Sequence, residues 1–338
     1  MKKLLAILVT GLLLLLIAGA VWLWFSRSDQ VDLLSPVGSF LSQSPEDKEK
    51  KIDFNQFSFE SLQKREFSGS QIKLEKVIEE NTNVTSYLFS YYSDGRKVTG
   101  LANFPQLKGK RPVIIMLRGY VDQEVFQTGM GTQRAGQVFA ENGFVTLAPD
   151  FLGFGESDPS EDDIWWERLD RPVQVLHLLA SLDSLPQADA ERVGIWAHSN
   201  GGQIALSILE ITGEAYPTAL WAPVSKPFPY SILYFTDELE DQGKYLRAEL
   251  ARLESDYDIR RFSISDYFES INNKGVIQVH QGIEDQAVPK RWSDQLVEKL
   301  KALEIEVEYF VYPGADHNLV GGWDKAVARD AVFFKKHL

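Results

Sequence analysis

The stretch around Ser199 has the residue types and the order that suit a reactive serine. Residues 193–197 are apolar and indicate a short strand, and Gly201 and Gly202 begin a pattern typical of a helix. A serine on such a tight strand-to-helix turn holds its hydroxyl clear of the backbone, where it can act as a nucleophile. Ala197, two residues before the serine, is small enough for the turn. The competing interpretation is a serine that caps an ordinary helix.

Two further residues of suitable chemistry follow later predicted strands. Asp285 comes after a strand that ends at His280, and His317 comes after a strand that ends at Tyr312. Because the carboxyl ends of parallel strands meet at one edge of a sheet, we expect all three side chains to lie there. A histidine can take the proton of the serine hydroxyl, and a carboxylate holds the imidazole in the useful tautomer. The order serine, aspartate, histidine therefore predicts a catalytic triad for acyl transfer.

Other residues are alternatives for two of these roles. Glu284 and Asp316 compete with Asp285 as the acid. His317 is favoured as the base because it lies in a Pro-Gly loop after the last predicted strand. The other four histidines lie in predicted helices, at a strand end or beside the serine, namely His177, His198, His280 and His337.

The negative charge that develops on the substrate oxygen needs two donors that are already in place. We expect one of them to be the backbone N–H of Asn200, directly after the serine. The other is expected in the loop Arg118-Gly119-Tyr120, which follows an apolar predicted strand.

The order of predicted elements indicates a mostly parallel, doubly wound sheet that is preceded by an antiparallel hairpin. Residues 84–92 and 97–104 form that hairpin around an Asp-Gly turn. From residue 112 onwards, strand and helix patterns alternate, which is typical of a parallel sheet covered on both faces. Residues 223–275 interrupt the alternation with a charged helical stretch. An insertion there is either a lid over the active site or a solvated surface excursion.

The N-terminus predicts export. Residues 1–25 contain an uncharged run from Leu4 to Phe25, which as a helix spans about 33 Å and can cross a bilayer. The two lysines before it favour an uncleaved signal-anchor with the rest of the chain outside. A cleaved signal peptide is the alternative, since Ala18-Gly19-Ala20 resembles a cleavage site. Residues 26–68 are predicted to be a linker and residues 69–338 the catalytic domain.

Composition excludes several classes of function. The net charge of −13 disfavours nucleic acid as a partner. The chain has no cysteine, which excludes disulfides and a thiol nucleophile. The spacing of histidines and carboxylates indicates no metal site, and a serine triad requires neither a metal nor a cofactor.

Residues 87–338 resemble the α/β-hydrolase superfamily. More narrowly, they resemble the catalytic domain of the prolyl oligopeptidase (S9) serine peptidases and their dienelactone-hydrolase-like relatives. The motifs that carry the resemblance are residues 117–120, residues 148–157, the Ser199 turn, residues 280–289 and residues 312–317. The resemblance implies that Ser199 is the nucleophile, Asp285 the acid and His317 the base. It also implies Tyr120 as the second oxyanion donor, through its N–H or its hydroxyl. Ala197 and Arg118 replace a usual glycine and histidine, and neither change removes a catalytic group.

We therefore expect an exported, membrane-anchored serine hydrolase that acts on a small ester or a short peptide. The first interpretation is an S9-like peptidase, although about eighty residues before the motifs are too few for the propeller of that family. A carboxylesterase is the alternative. A hydrolase-fold binding module without catalysis is a third hypothesis, which the complete set of Ser199, Asp285 and His317 disfavours.

Overall fold

The computed structural model describes residues 52–236 and 241–338, and the predicted signal-anchor lies outside them. The strands are Lys73–Glu80 (β1), Val84–Ser93 (β2), Arg96–Pro105 (β3), Arg111–Leu117 (β4), Val145–Pro149 (β5), Ala188–His198 (β6), Thr218–Trp221 (β7), Val276–Gly282 (β8) and Glu306–Tyr312 (β9). The α-helices are Phe59–Leu62 (α1), Gln133–Glu141 (α2), Ile164–Ala180 (α3), Asn200–Thr212 (α4), Tyr230–Leu233 (α5), Lys244–Asp256 (α6), Lys290–Ala302 (α7) and Trp323–His337 (α8). Within these two ranges, no helix is both long and apolar enough to cross a bilayer.

The nine strands of the described residues form one sheet in the order β1-β2-β3-β5-β4-β6-β7-β8-β9. Strands β1, β2 and β3 pair antiparallel, and β3 is also antiparallel to β5. From β5 to β9 every neighbouring pair is parallel. The antiparallel hairpin and the mostly parallel sheet are thus both confirmed. The carboxyl ends of β4, β6, β8 and β9 lie at one edge.

The sheet is covered on both faces, which explains why β4 is continuously apolar. Val113, Ile115 and Leu117 are buried on the face that α3 and α4 cover. Ile114 and Met116 are buried on the opposite face, which α2 and α8 cover. Because successive side chains of a strand point to opposite faces, a strand buried on both sides shows no polar alternation.

Helix α3 begins at Ile164 and runs to Ala180. Asp163 caps the helix, because its Oδ1 accepts the N–H groups of Trp165 and Trp166, each at 2.8 Å. Pro172 lies inside the helix rather than in its first turn. A proline normally favours a helix start or a break at its position, whereas here the helix continues through it.

The residues before β1 pack on the insertion between β7 and β8. Phe54–Phe57 forms a 3₁₀ helix, and helix α1 follows it. Phe54 contacts the ring of Tyr257 edge-on, with centroids 5.7 Å apart. Phe59 stacks on Tyr267 at 4.5 Å with an interplanar angle of 12°. Part of the predicted linker is therefore built into the folded chain.

Candidate active site

Ser199 lies on a strained turn between β6 and α4. Its φ is 55° and its ψ is −120°, which is uncommon for a residue that carries a Cβ and costs on the order of 1–3 kcal/mol. Three hydrogen bonds hold the turn. The Ser199 N–H donates to the carbonyl of Trp221 at 2.8 Å, and the Ser199 carbonyl accepts the N–H groups of Gly202 and Val224, each at 2.9 Å. The sharp turn predicted at Ser199 is therefore present.

Two glycines let the end of β4 approach this turn. A Cβ on Gly201 would lie 2.2 Å from the carbonyl oxygen of Leu117, so only glycine fits there. A Cβ on Gly119 would lie 3.0 Å from the Cβ of Ser199. The loop that carries Tyr120 therefore runs directly beside the candidate nucleophile.

Asp285 and His317 are brought together at the same edge of the sheet. The Oδ2 of Asp285 lies 2.9 Å from the Nδ1 of His317, and both residues are buried. The Oδ1 of Asp285 accepts the N–H groups of Ala287 at 2.9 Å and Val288 at 2.8 Å. The Gln281 Nε2 donates to Oδ2 at 2.9 Å. The carboxylate is thus fixed on both oxygens, which suits the orientation of an imidazole.

The hydrogen bonds of His317 in the described part of the chain run to Asp285 and His198, and none reaches the Ser199 Oγ. Asp285 and His317, the candidate acid and base, are thus paired, while the candidate nucleophile Ser199 is close to the Gly119 loop. Catalytic hydrogen bonds are often loose in a structure without substrate and tighten in the complex.

The other candidates for acid and base have different surroundings. Glu284 is exposed to solvent. Asp316 accepts the N–H groups of Asn318 and Val320 and so shapes its own loop. His280 is buried, with its Nδ1 2.7 Å from the hydroxyl of Tyr312.

His198 has a role that the sequence analysis missed. Its Nε2 donates to the backbone carbonyl of His317 at 3.0 Å, and the two ring centroids lie 4.7 Å apart. Burial, together with the proximity of His317, lowers the pKa of His198 to about 3, so the imidazole is neutral. It therefore supports the loop of the candidate base. The available signal was its position, directly between a strand end and Ser199.

Asn200 and Tyr120 remain the candidate oxyanion donors. Asn200 is the first residue of α4, where a backbone N–H has no partner within the helix. Burial, with a further contribution from Asp122, raises the pKa of Tyr120, so its hydroxyl keeps a proton to donate.

A narrow cleft of about 50 Å³ begins at Asn200. Six apolar residues from two segments far apart in the sequence line it, and we call them the aromatic wall: Phe57, Phe59, Leu62, Phe228, Ile232 and Phe262. The insertion therefore borders the candidate site and is more than a solvated excursion.

Two arginines of α3 lie between this cleft and a smaller cavity that contains Tyr120. Arg171 pairs with Glu167. The buried Nε of Arg168 has no hydrogen-bond partner among the described residues. Burial, followed by the proximity of Arg171, lowers the pKa of Arg168 to about 10, so it is still charged at neutral pH. The site thus contains a cation that can receive an acidic group.

Comparison with curated proteins gives two distant relatives that carry the same name. A Synechocystis protein named "Putative carboxymethylenebutenolidase" is 21% identical over 254 residues, which are 70% of this chain and 86% of the relative. An Escherichia coli O157:H7 protein of the same name is 26% identical over 63% of this chain and 69% of its own.

Comparison with solved structures supports the fold. The acetyl xylan esterase from Paenibacillus sp. R4 superposes with a TM-score of 0.61 at 16% identity, over 90% of this chain and all of that enzyme. The Pyrococcus horikoshii acylaminoacyl peptidase gives a TM-score of 0.58 at 18% identity, over 76% of this chain and 42% of that protein. Residues 98–326 match the sequence profile of the dienelactone hydrolase family. This chain therefore belongs to the dienelactone hydrolase family and has an α/β-hydrolase-like fold.

Proposed function

We propose that this chain is a serine hydrolase that cleaves small carboxylic esters through an acyl-enzyme on Ser199. The observation that carries the proposal is the 2.9 Å contact between His317 Nδ1 and Asp285 Oδ2, at the sheet edge that also presents Ser199. His317 takes the proton of the Ser199 hydroxyl while the Ser199 Oγ attacks the ester carbonyl. The N–H of Asn200 and a donor on Tyr120 receive the oxyanion. The alcohol then leaves with the proton from His317. Water attacks the acyl-enzyme while His317 takes a proton from it, and Ser199 recovers its proton from His317 as the acid is released.

Two observations favour an ester over an amide. The curated relatives are named as carboxymethylenebutenolidases, and the acetyl xylan esterase matches over its full length. Arg168 is half-buried, lines the cleft and supplies a cation whose Nε has no hydrogen-bond partner among the described residues, which suits an ester that carries a carboxylate. An S9-like peptidase is the second candidate, supported by the overlap with the acylaminoacyl peptidase.

The membrane anchor and the location outside the cytoplasm rest on residues 1–25 and belong to the same proposal. We expect the full chain to sediment with membranes and to be released by detergent. Recovery from the soluble extracytoplasmic fraction, with the N-terminus removed, would favour the cleaved signal peptide.

The direct test is labelling of the full chain with a fluorophosphonate probe. Labelling is expected in the wild type and absent in Ser199→Ala. Ser255→Ala is the matched control, because Ser255 is exposed on α6 and only contacts its own helix. Nitrophenyl esters and aminoacyl nitroanilides are then compared side by side, and faster turnover of the esters is expected. Undiminished labelling of folded Ser199→Ala, or no labelling of the wild type, would overturn the proposal.

A further inference from the structure

The cleft beside Asn200 follows one face of α4 away from the candidate nucleophile. The lining positions on this helix are Asn200, Gln203, Ile204, Ser207 and Ile211, which is the spacing of a single helix face. The run from residue 200 to residue 211 corresponds to about 16 Å along the helix axis. The cleft therefore lies along this face of α4, and a candidate oxyanion donor is among its lining residues.

The side opposite α4 is closed by residues that precede the sheet. Phe57, Phe59 and Leu62 are each at most 4% exposed and line the cleft. Polar contacts fix this segment to the insertion. The Tyr267 hydroxyl donates to Glu60, and the Arg261 Nη1 donates to the side-chain carbonyl of Asn55 at 2.8 Å. These contacts with the insertion thus hold the segment in place as one wall of the cleft.

The part of the substrate that enters this cleft follows from the placement of His317. A leaving alcohol must receive its proton from the base and therefore departs on the side of His317. Neither His317 nor Asp285 lines the cleft, whereas Asn200, the proposed oxyanion donor directly after Ser199, does. The group in the cleft is consequently on the acyl side of the scissile bond.

We propose that the aromatic wall binds the alkyl part of the acyl group, next to Arg168 and Arg171, which line the same cleft. The segment 53–62 limits the length of that part to a short chain. This inference rests on the proposed ester hydrolysis. Burial of one methylene strengthens binding about fourfold. An acyl chain that fits the cleft therefore raises kcat/KM with each added carbon. A chain that meets the ring of Phe57 loses that gain.

The test uses the full chain and p-nitrophenyl acetate, butanoate, hexanoate and octanoate, which share one leaving group. Phe57→Ala is expected to raise the ratio of hexanoate to acetate kcat/KM by about tenfold or more. Phe67→Ala is the matched control, because Phe67 lies in the same N-terminal segment but packs on His177 and Arg65 and does not line the cleft. The control should leave the ratio at the wild-type value. Ile232→Ala, on the insertion side, should shift the ratio in the same direction and serves if Phe57→Ala does not fold.

An equal shift in Phe67→Ala, or an unchanged ratio in both folded Phe57→Ala and Ile232→Ala, would overturn the acyl-site proposal. These results leave the Ser199 labelling intact, so they are distinct from failure of the proposed function. A second series of acetate esters with longer alcohols should respond equally in the wild type and in Phe57→Ala. A selective gain of the variant on long alcohols would place the leaving group in the cleft and would also contradict the proposal.

Discussion

The loops at the carboxyl ends of the strands and the aromatic wall are held in place by different forces. The candidate nucleophile, acid and base are fixed by hydrogen bonds to the backbone and by close glycine contacts. The aromatic wall is fixed by side-chain contacts between segments about two hundred residues apart, both ring contacts such as Phe59 with Tyr267 and polar contacts such as Arg261 with Asn55. We therefore expect changes at the strand ends to alter the rate on every substrate and changes in the wall to alter the choice among substrates.

The largest effect is expected at Asp285. Asp285→Asn keeps the shape of the side chain but removes the negative charge that holds the tautomer of His317. We expect kcat/KM to fall by about 10³–10⁴-fold, equally for acetate and hexanoate esters. Steady-state kinetics with the four nitrophenyl esters, together with circular dichroism to establish folding, measures this.

Glu284→Gln is the matched control for that change, since Glu284 is the exposed neighbour that the sequence leaves open as the acid. Its activity should stay within about twofold of the wild type. A loss as large as that of Asp285→Asn would move the acid to Glu284 and break the assignment.

A smaller effect is expected at Arg168, which lies between the two regions. Arg168→Gln removes a cation whose partner we infer to be a substrate carboxylate, and a charge-assisted contact of this kind is worth about 10–100-fold. The loss should appear as a higher KM for the mono-p-nitrophenyl ester of a dicarboxylic acid. The neutral ester of equal length should change little. Equal losses on both esters would show that Arg168 acts through the fold and not through substrate charge.

A change at His198 tests whether the strand-end loops affect the rate without affecting the choice among substrates. His198→Phe removes the donor to the His317 carbonyl, and we expect kcat to fall by about tenfold with KM and chain-length preference unchanged. His198→Gln keeps a donor and should recover part of the rate. A change in chain-length preference would mean that His198 shapes the cleft and that the two regions are not separable.

The sequence predicts the strand ends better than the wall because their requirements are local. The turn at Ser199 needs small residues within two positions, so it leaves a signature that can be recognised. Asp285 and His317 follow strands whose ends meet once the sheet order is known. Phe57, Phe228 and Ile232 line the same cleft only because of long-range packing, which leaves no local pattern in the sequence. The same reason hides the contact of His198 with the His317 loop.

The smallest effect on activity is expected at Asp170, a buried residue of α3 outside both regions. Burial raises the pKa of its carboxyl to about 7, whereas an unfolded aspartate titrates near pH ~4. Between about pH 4 and pH 7 the folded chain holds a proton that the unfolded chain has lost, so this group makes stability fall as the pH rises through that window. The full difference of about three pKa units corresponds to roughly 4 kcal/mol. Asp170→Asn removes this cost and keeps an acceptor for Gln174, whose Nε2 lies 2.8 Å from Oδ2.

We therefore expect Asp170→Asn to unfold at a higher temperature than the wild type at pH 8 and at nearly the same temperature at pH 4. Its relative rates on the four esters should be those of the wild type. Part of the pH dependence should persist in the variant, because burial also raises the pKa of Asp150 to about 6. Destabilisation at pH 8 would mean that the charged carboxylate of Asp170 is stabilised in the fold. A changed ester preference would mean that α3 transmits strain from its core into the cleft, so that rate, selectivity and stability could not be assigned to separate parts of the molecule.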